Sequence, residues 1–232
     1  MPFDRQARLE TLHLMKPRCR VCARALRTTM DNFVDRLCMD HDKSSTTTEA
    51  VLGRICIGIQ DALEDRLRLT MWSRWEPYPS HLSSEQHWWW KRMMIFSDMC
   101  RISFDYLWHL VIPHIIDSPV VPVARVREIE FCTAQYYGYW HCAYVITLQD
   151  GSFYVFDPTG VQFGPQWPLL APLDVYEFRM HRPWQFRVFQ VGHYYETRER
   201  DDSHEALIKS RFKSWDLVRF KLGILPRVEE EE

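Results

Sequence analysis

A thiol, an imidazole and a carboxylate are the side chains needed to make and orient a sulfur nucleophile, and this chain sets two of them, His141 and Asp157, on the two arms of one predicted β-hairpin. Runs rich in Tyr, Val, Ile, Thr and Phe flank Gln149-Asp150-Gly151, where Gly151 can take the left-handed conformation that closes a three-residue loop with a bulge. Leu148 then faces Ser152. Counting outward, Ala143 lies opposite Asp157 and His141 opposite Thr159, so His141 and Asp157 are diagonal neighbours on one face. Closure on Asp150-Gly151 as a two-residue turn would instead slip the register by one and send them to opposite faces. Pro158 cannot donate to a ladder and ends the second arm just past Asp157.

A thiolate needs positive surroundings, and Cys19 has them on paper. Residues 16–38 carry Cys22, Leu26, Met30, Phe33, Val34 and Leu37 at helical spacing, with Pro17 where a first turn tolerates it. On that reading Cys19 sits in the first turn, among outward-pointing N–H groups and between Arg18 and Arg20. Cys22, Cys56 and Cys100 read as core thiols on helices. Cys132 and Cys142 are strand residues, with Cys142 facing away from His141. Cys19, His141 and Asp157 are therefore the expected catalytic residues.

The elements that must position these residues come in two groups. Helices are expected at 16–38, 51–69 and, after Ser84 as a cap, 84–111 as one long buried helix; 72–82 reads as a Trp- and Pro-rich connection. Strands are expected at 126–134, 140–148, 152–157, 175–180 and 185–191, forming an antiparallel sheet. A last helix opens at Asp202 or Ser203, before the acidic tail 229–232. The expected architecture is α+β: one domain over 1–232, with a mainly helical half (1–112) carrying the thiol, a sheet (113–194) carrying His and Asp, and a C-terminal helix and tail (195–232).

The pattern His141, Asp150-Gly151, Asp157-Pro158-Thr159 and Gln162-Phe163, preceded by Cys19 on a helix with Cys22, Ala23, Leu26 and Met30, resembles the papain-like and transglutaminase-like superfamily, in particular its small members. That resemblance implies a papain-like fold. It also implies Cys19 as nucleophile, His141 as general base and then acid, and Asp157 as the group that fixes the imidazole. The chemistry would be acyl transfer through a thioester, with release to water or to an amine.

Composition limits the partners. The 232 residues are 46% hydrophobic and 14% aromatic, enough for one sizeable core, and the formal net charge of −2 gives no pull toward nucleic acid or an anionic membrane. No apolar stretch is long enough to span a bilayer, and residues 1–18 lack the apolar run of a secretory signal. Seven cysteines without regular spacing fit reduced thiols in an intracellular, cytoplasmic setting. The expected partner is a protein or peptide substrate, or a small amide, and no cofactor is called for. Tyr136, Tyr137, Tyr139 and Trp140 beside the histidine could wall a groove or shield the sheet.

Two other readings remain open. Cys19-x-x-Cys22 and Cys38-x-x-His41 are spaced as in structural zinc sites, but a helix over 16–38 would hold Cys22 and Cys38 about 24 Å apart, so helix and metal site exclude one another. A noncatalytic module that keeps a papain-like fold, anchoring a protein partner through some of the ten tryptophans, is the other.

Overall fold

The structure, a computed structural model, describes residues 5–13, 16–26, 36–70, 79–134, 139–181 and 186–197. Its centre is the hairpin of β2 (Trp140–Leu148) and β3 (Phe153–Phe156), closed as the turn chemistry requires: Gly151 has φ +87°, Leu148 N donates to Ser152 O and Gly151 N donates to Leu148 O. Tyr144 pairs with Phe156 and Thr147 with Phe153, the register that places His141 and Asp157 on one face. With β1 (Val123–Cys132), β4 (Leu170–Pro172) and β5 (Arg187–Gln190), these strands form one antiparallel sheet in the order β4-β3-β2-β1-β5.

Helices cover one face of the sheet. They are α1 (Arg5–His13), α2 (Thr48–Thr70), α3 (Ser84–Ile95) and α4 (Cys100–Val111). Leu52, Ile55, Cys56, Ile59, Leu63 and Leu67 form the buried stripe of α2, spaced as a 3.6-residue period demands, and meet Phe104, Tyr144, Ile146 and Phe156 in one core. A second core lies on the other face, where Phe131, Ala143, Val145 and Val155 pack against Phe163, Trp167 and Tyr176. Tyr176 ends α5 (Leu173–Tyr176), and α6 (His193–Thr197) follows β5. The coarse class is α+β, and no helix among the described residues is long and apolar enough to cross a membrane.

Three departures from the sequence expectation bear on function. Residues 16–26 and 36–38 are turns and isolated bridges rather than a helix: Arg18 bridges Ala25, Ala23 has φ +58° and Leu26 N donates to Pro17 O. The expected helix 84–111 is two helices. A capping box between Ser83 and Gln86 opens α3, which stops at Ile95; Asp98 then takes φ +60° and the chain restarts as α4 at Cys100. Residues 175–180 form the end of α5 and a 3₁₀ turn (Glu177–Arg179), and the strand pairing with β3 is the short β4 instead. The C-terminal helix expected after Asp202, together with Tyr136, Tyr137 and most of the 72–82 connection, lies outside the described residues.

Phe104 on α4 stacks on Tyr144 of β2 with ring centroids 4.3 Å apart, and both are fully buried. Replacing Phe104 with Ala should cost about 3–5 kcal/mol in urea unfolding, because the cavity lies between two rigid elements. A loss below about 1 kcal/mol would show that α4 is not fastened to the sheet in this way.

Candidate active site

The register of β2 and β3 brings His141 to Asp157. Nε2 of the ring lies 2.9 Å from Oδ1 and 2.8 Å from Oδ2, and both side chains are fully enclosed. A buried carboxylate must find donors or it costs several kcal/mol, and Asp157 has three besides His141. Tyr176 donates its hydroxyl to Oδ2 at 2.5 Å, Trp167 donates Nε1 to Oδ2 at 2.6 Å, and the Thr159 amide donates to Oδ1 at 3.3 Å. Burial and the neighbouring carboxylate push the Tyr176 hydroxyl well above its ordinary range, which keeps it a donor. Gly160 completes the enclosure: a Cβ there would run into the Trp167 ring and the Asp157 carboxylate. Backbone bonds hold the segment as well, since Asp157 N donates to Leu169 O and Gln60 Nε2 on α2 donates to Pro158 O at 2.8 Å.

With Nε2 committed to Asp157, Nδ1 is the nitrogen that faces Gln162 and is open to a thiol. The thiol that interacts with the His141 ring is Cys100, the first residue of α4, and not Cys19. Cys100 is 7% exposed, and its position in a first turn gives it helical N–H groups without intrahelical acceptors. Hydrogen bonding from Cys142 outweighs the opposing effect of burial, and together with His141 and the Arg101 amide it holds the Cys100 thiol well below the usual thiol range. Cys142 is driven up by the same hydrogen bond and by burial, while the Asp157 charge, aided by Cys100, overcomes burial and lifts His141 to about 9.

Gln162 ties the two halves together. Its Nε2 lies 3.4 Å from His141 Nδ1, and its Oε1 accepts from the Asp98 amide at 3.1 Å, in the turn that precedes Cys100. Tyr139 donates its hydroxyl to Asp98 Oδ1 at 2.8 Å, so the left-handed residue at the helix break is held by side chains flanking the histidine. Sequence reasoning passed over Cys100 because an apolar run hides the break at Phe96-Ser97-Asp98; the available signal was Ser97-Asp98, residue types that favour helix ends. Cys56, by contrast, is the core thiol it was expected to be, fully buried and driven up by desolvation.

The structure places Cys19 in a different cluster. The Cys19 sulfur lies 3.9 Å from His41 Nδ1, Cys38 Sγ lies 3.1 Å from the same nitrogen, and Cys22 Sγ lies 3.9 Å from Cys38 Sγ. All four donor atoms fall within 4.8 Å of one another. The arginines meant to activate Cys19 are engaged elsewhere, Arg18 on the Ala23 carbonyl and Arg20 on Asp61. Hydrogen bonding with Cys22, against burial, and with His41 holds Cys19 down at about 3, while Cys22 is raised in turn. Comparison with family models, with curated proteins and with solved structures finds no match for this chain.

A raised imidazole makes a directional prediction. Its folded value exceeds the ordinary 6.5, so pairing with Asp157 stabilises the fold fully below about 6.5 and that gain is lost as pH rises through about 9. Asp157→Asn keeps an acceptor but removes the charge, leaving burial to dominate. NMR titration of His141 should then give a value well below that of the wild type; an unchanged midpoint would mean that Asp157 does not set it.

Proposed function

We propose that this protein is a cysteine-dependent acyl-transfer enzyme of papain-like or transglutaminase-like character, in which Cys100 is the nucleophile, His141 the general base and acid, and Asp157 the positioning residue. The observation that carries the reading is the convergence at His141: one ring nitrogen sits on a fully enclosed carboxylate, and the ring interacts electrostatically with a thiol at a helix N-terminus. This reading keeps the imidazole and carboxylate of the sequence expectation and moves the thiol from Cys19 to Cys100.

Each group has a physical task. The first-turn N–H groups of α4 favour a thiolate at Cys100 and can receive the oxyanion that forms when sulfur attacks an amide or ester carbonyl. His141, protonated beside Asp157, gives its proton to the departing amine or alcohol as the carbon–heteroatom bond breaks, leaving a thioester on Cys100 and a neutral ring. The neutral ring then takes a proton from water or an acceptor amine as that group attacks the thioester, and the sulfur leaves as thiolate. Asp157 holds the ring edge-on through Nε2, with Phe163 and Phe131 packed against it at centroid distances of 4.9 and 5.4 Å.

A cleft of about 540 Å³ opens along the first turns of α4, lined by Arg101, Asp105, Glu130, Arg187, Phe189 and Tyr194 among others. Buried Glu130 is paired with both Arg101 and Arg187, and Asp105 also lines the wall, so the cleft offers two carboxylates against two guanidiniums, together with two aromatic rings. Such a lining suits a peptide or small amide better than a polyanion.

Mild labelling tests the assignment. Iodoacetamide at about pH 6 followed by peptide mapping should modify Cys100 ahead of Cys56 and Cys142, since only a thiolate reacts at that pH. His141→Ala should slow Cys100 labelling by roughly 10-fold or more, and Cys100→Ala should remove the reactive thiol while leaving the circular dichroism spectrum unchanged. Uniformly slow thiols, or labelling of Cys100 that ignores the state of His141, would overturn the proposal.

A further inference from the structure

We propose that Cys19, Cys22, Cys38 and His41 form a structural zinc site, separate from the cluster at Cys100, that fastens the N-terminal turn to the segment carrying Asp157. The donors come as two short loops. In the first, Cys19 N donates to Arg24 O and Ala23 N to Cys19 O, so the chain doubles back between the two cysteines, and Ala23 adopts φ +58° directly after Cys22. In the second, a 3₁₀ turn over Met39–His41 returns His41 N to Cys38 O at 3.0 Å. Arg20 N donates to Arg36 O and brings the two loops side by side.

The donors already lie close to the spacing the ion demands, within 4.8 Å of one another. A tetrahedral ion with bonds of about 2.3 Å to sulfur and 2.0–2.1 Å to nitrogen requires donors roughly 3.5–3.8 Å from one another. The observed separations are 3.9 Å for Cys22–Cys38, 3.1 Å for Cys38–His41 and 3.9 Å for Cys19–His41. Three sulfurs and one imidazole favour zinc over calcium or magnesium, which take oxygen donors. The second ring nitrogen of His41 lies 3.3 Å from the Glu49 carboxylate on α2, the outer partner that metal-bound imidazoles need to fix their orientation. With four protein donors no position is left for substrate, so the role is structural.

The site also has something to hold. Val21, between the first two cysteines, is fully buried against Gly53 of α2, where a Cβ would stand 2.9 Å from a Val21 methyl and 3.3 Å from the His41 ring. The Val21 carbonyl accepts from both Leu169 N (2.8 Å) and Leu170 N (3.2 Å), and Leu169 O accepts from Asp157 N (2.9 Å). Two backbone hydrogen bonds thus connect the loop of Cys19 and Cys22 to the residue whose carboxylate holds His141. Loss of the ion would loosen the start of β4 and, on the reading of Cys100 proposed above, lower activity at a distance.

Metal analysis of the purified full-length chain by plasma mass spectrometry decides the question without reference to activity. One zinc per chain is expected, retained by Cys100→Ala and lost or sharply reduced in Cys38→Ser and His41→Ala. Cobalt exchanged into the wild type should show thiolate-to-cobalt absorption in the near ultraviolet and the intense visible bands of a tetrahedral site. Chelation should lower the melting temperature by about 10 °C or more, reversed by added zinc. Wild-type protein from zinc-supplemented cells that carries no zinc above background, or that holds a Cys22–Cys38 disulfide instead, would overturn the proposal. Because Cys100→Ala is expected to keep its zinc, failure of the catalytic reading would leave this result standing, and the reverse holds too.

Discussion

A carboxylate with no access to water is the constraint around which this molecule is arranged. Asp157 is acceptable in the interior only because an imidazole, an indole, a phenol and a backbone amide all point at it. Meeting that demand accounts for features that otherwise look unrelated. Gly160 leaves room for the indole, α5 delivers Tyr176, and the 3₁₀ turn Gly160–Phe163 carries the chain away without crowding the ring. Removing any single donor leaves a buried acceptor short, which costs more than the hydrogen bond itself contributes.

How much of this could be read from the residues depends on whether the signal was local. The hairpin was legible because a glycine at the αL position of a tight loop sets register by itself, and register sets which side chains share a face. The α2 stripe was legible for a similar reason: apolar spacing sustained from Leu52 to Leu67 has one cheap solution. The break before Cys100 was not. Apolar residues continue on both sides of Phe96-Ser97-Asp98, so periodicity reads straight through, and what stops the helix is tertiary: Gln162 accepts the Asp98 amide and Tyr139 holds the Asp98 side chain. A pair of long-range hydrogen bonds decided the position of the thiol.

The error over residues 16–26 and 36–38 has a different origin; residues 27–35 of the expected helix lie outside the described residues. Cysteine counts as apolar in a periodicity argument, so Cys22 helped to complete a helical stripe, while the same residue in a Cys-x-x-Cys pair argues for a turn. The two readings predicted separations of about 24 Å and of hydrogen-bonding scale for Cys22 and Cys38, and the structure has 3.9 Å. Local propensity yields when several donors are gathered at one point. The segment 175–180 failed for a simpler reason, since a short run of Val, Tyr and Phe suits a strand or a single helical turn equally well, and Pro172 at the cap with Asp174 in the first turn tipped it toward the helix.

Of the nine residues of β2, only Trp140 stands exposed, because helices cover one side of that strand and the Phe163–Trp167–Tyr176 layer covers the other. A strand walled in on both sides and laddered to neighbours along both edges has the slowest amide exchange a fold can provide. The segment bearing the imidazole should therefore be the last to open during partial unfolding, outlasting the short turns of the N-terminal region. Damage to the periphery would erode what surrounds the histidine well before it separated the histidine from its carboxylate.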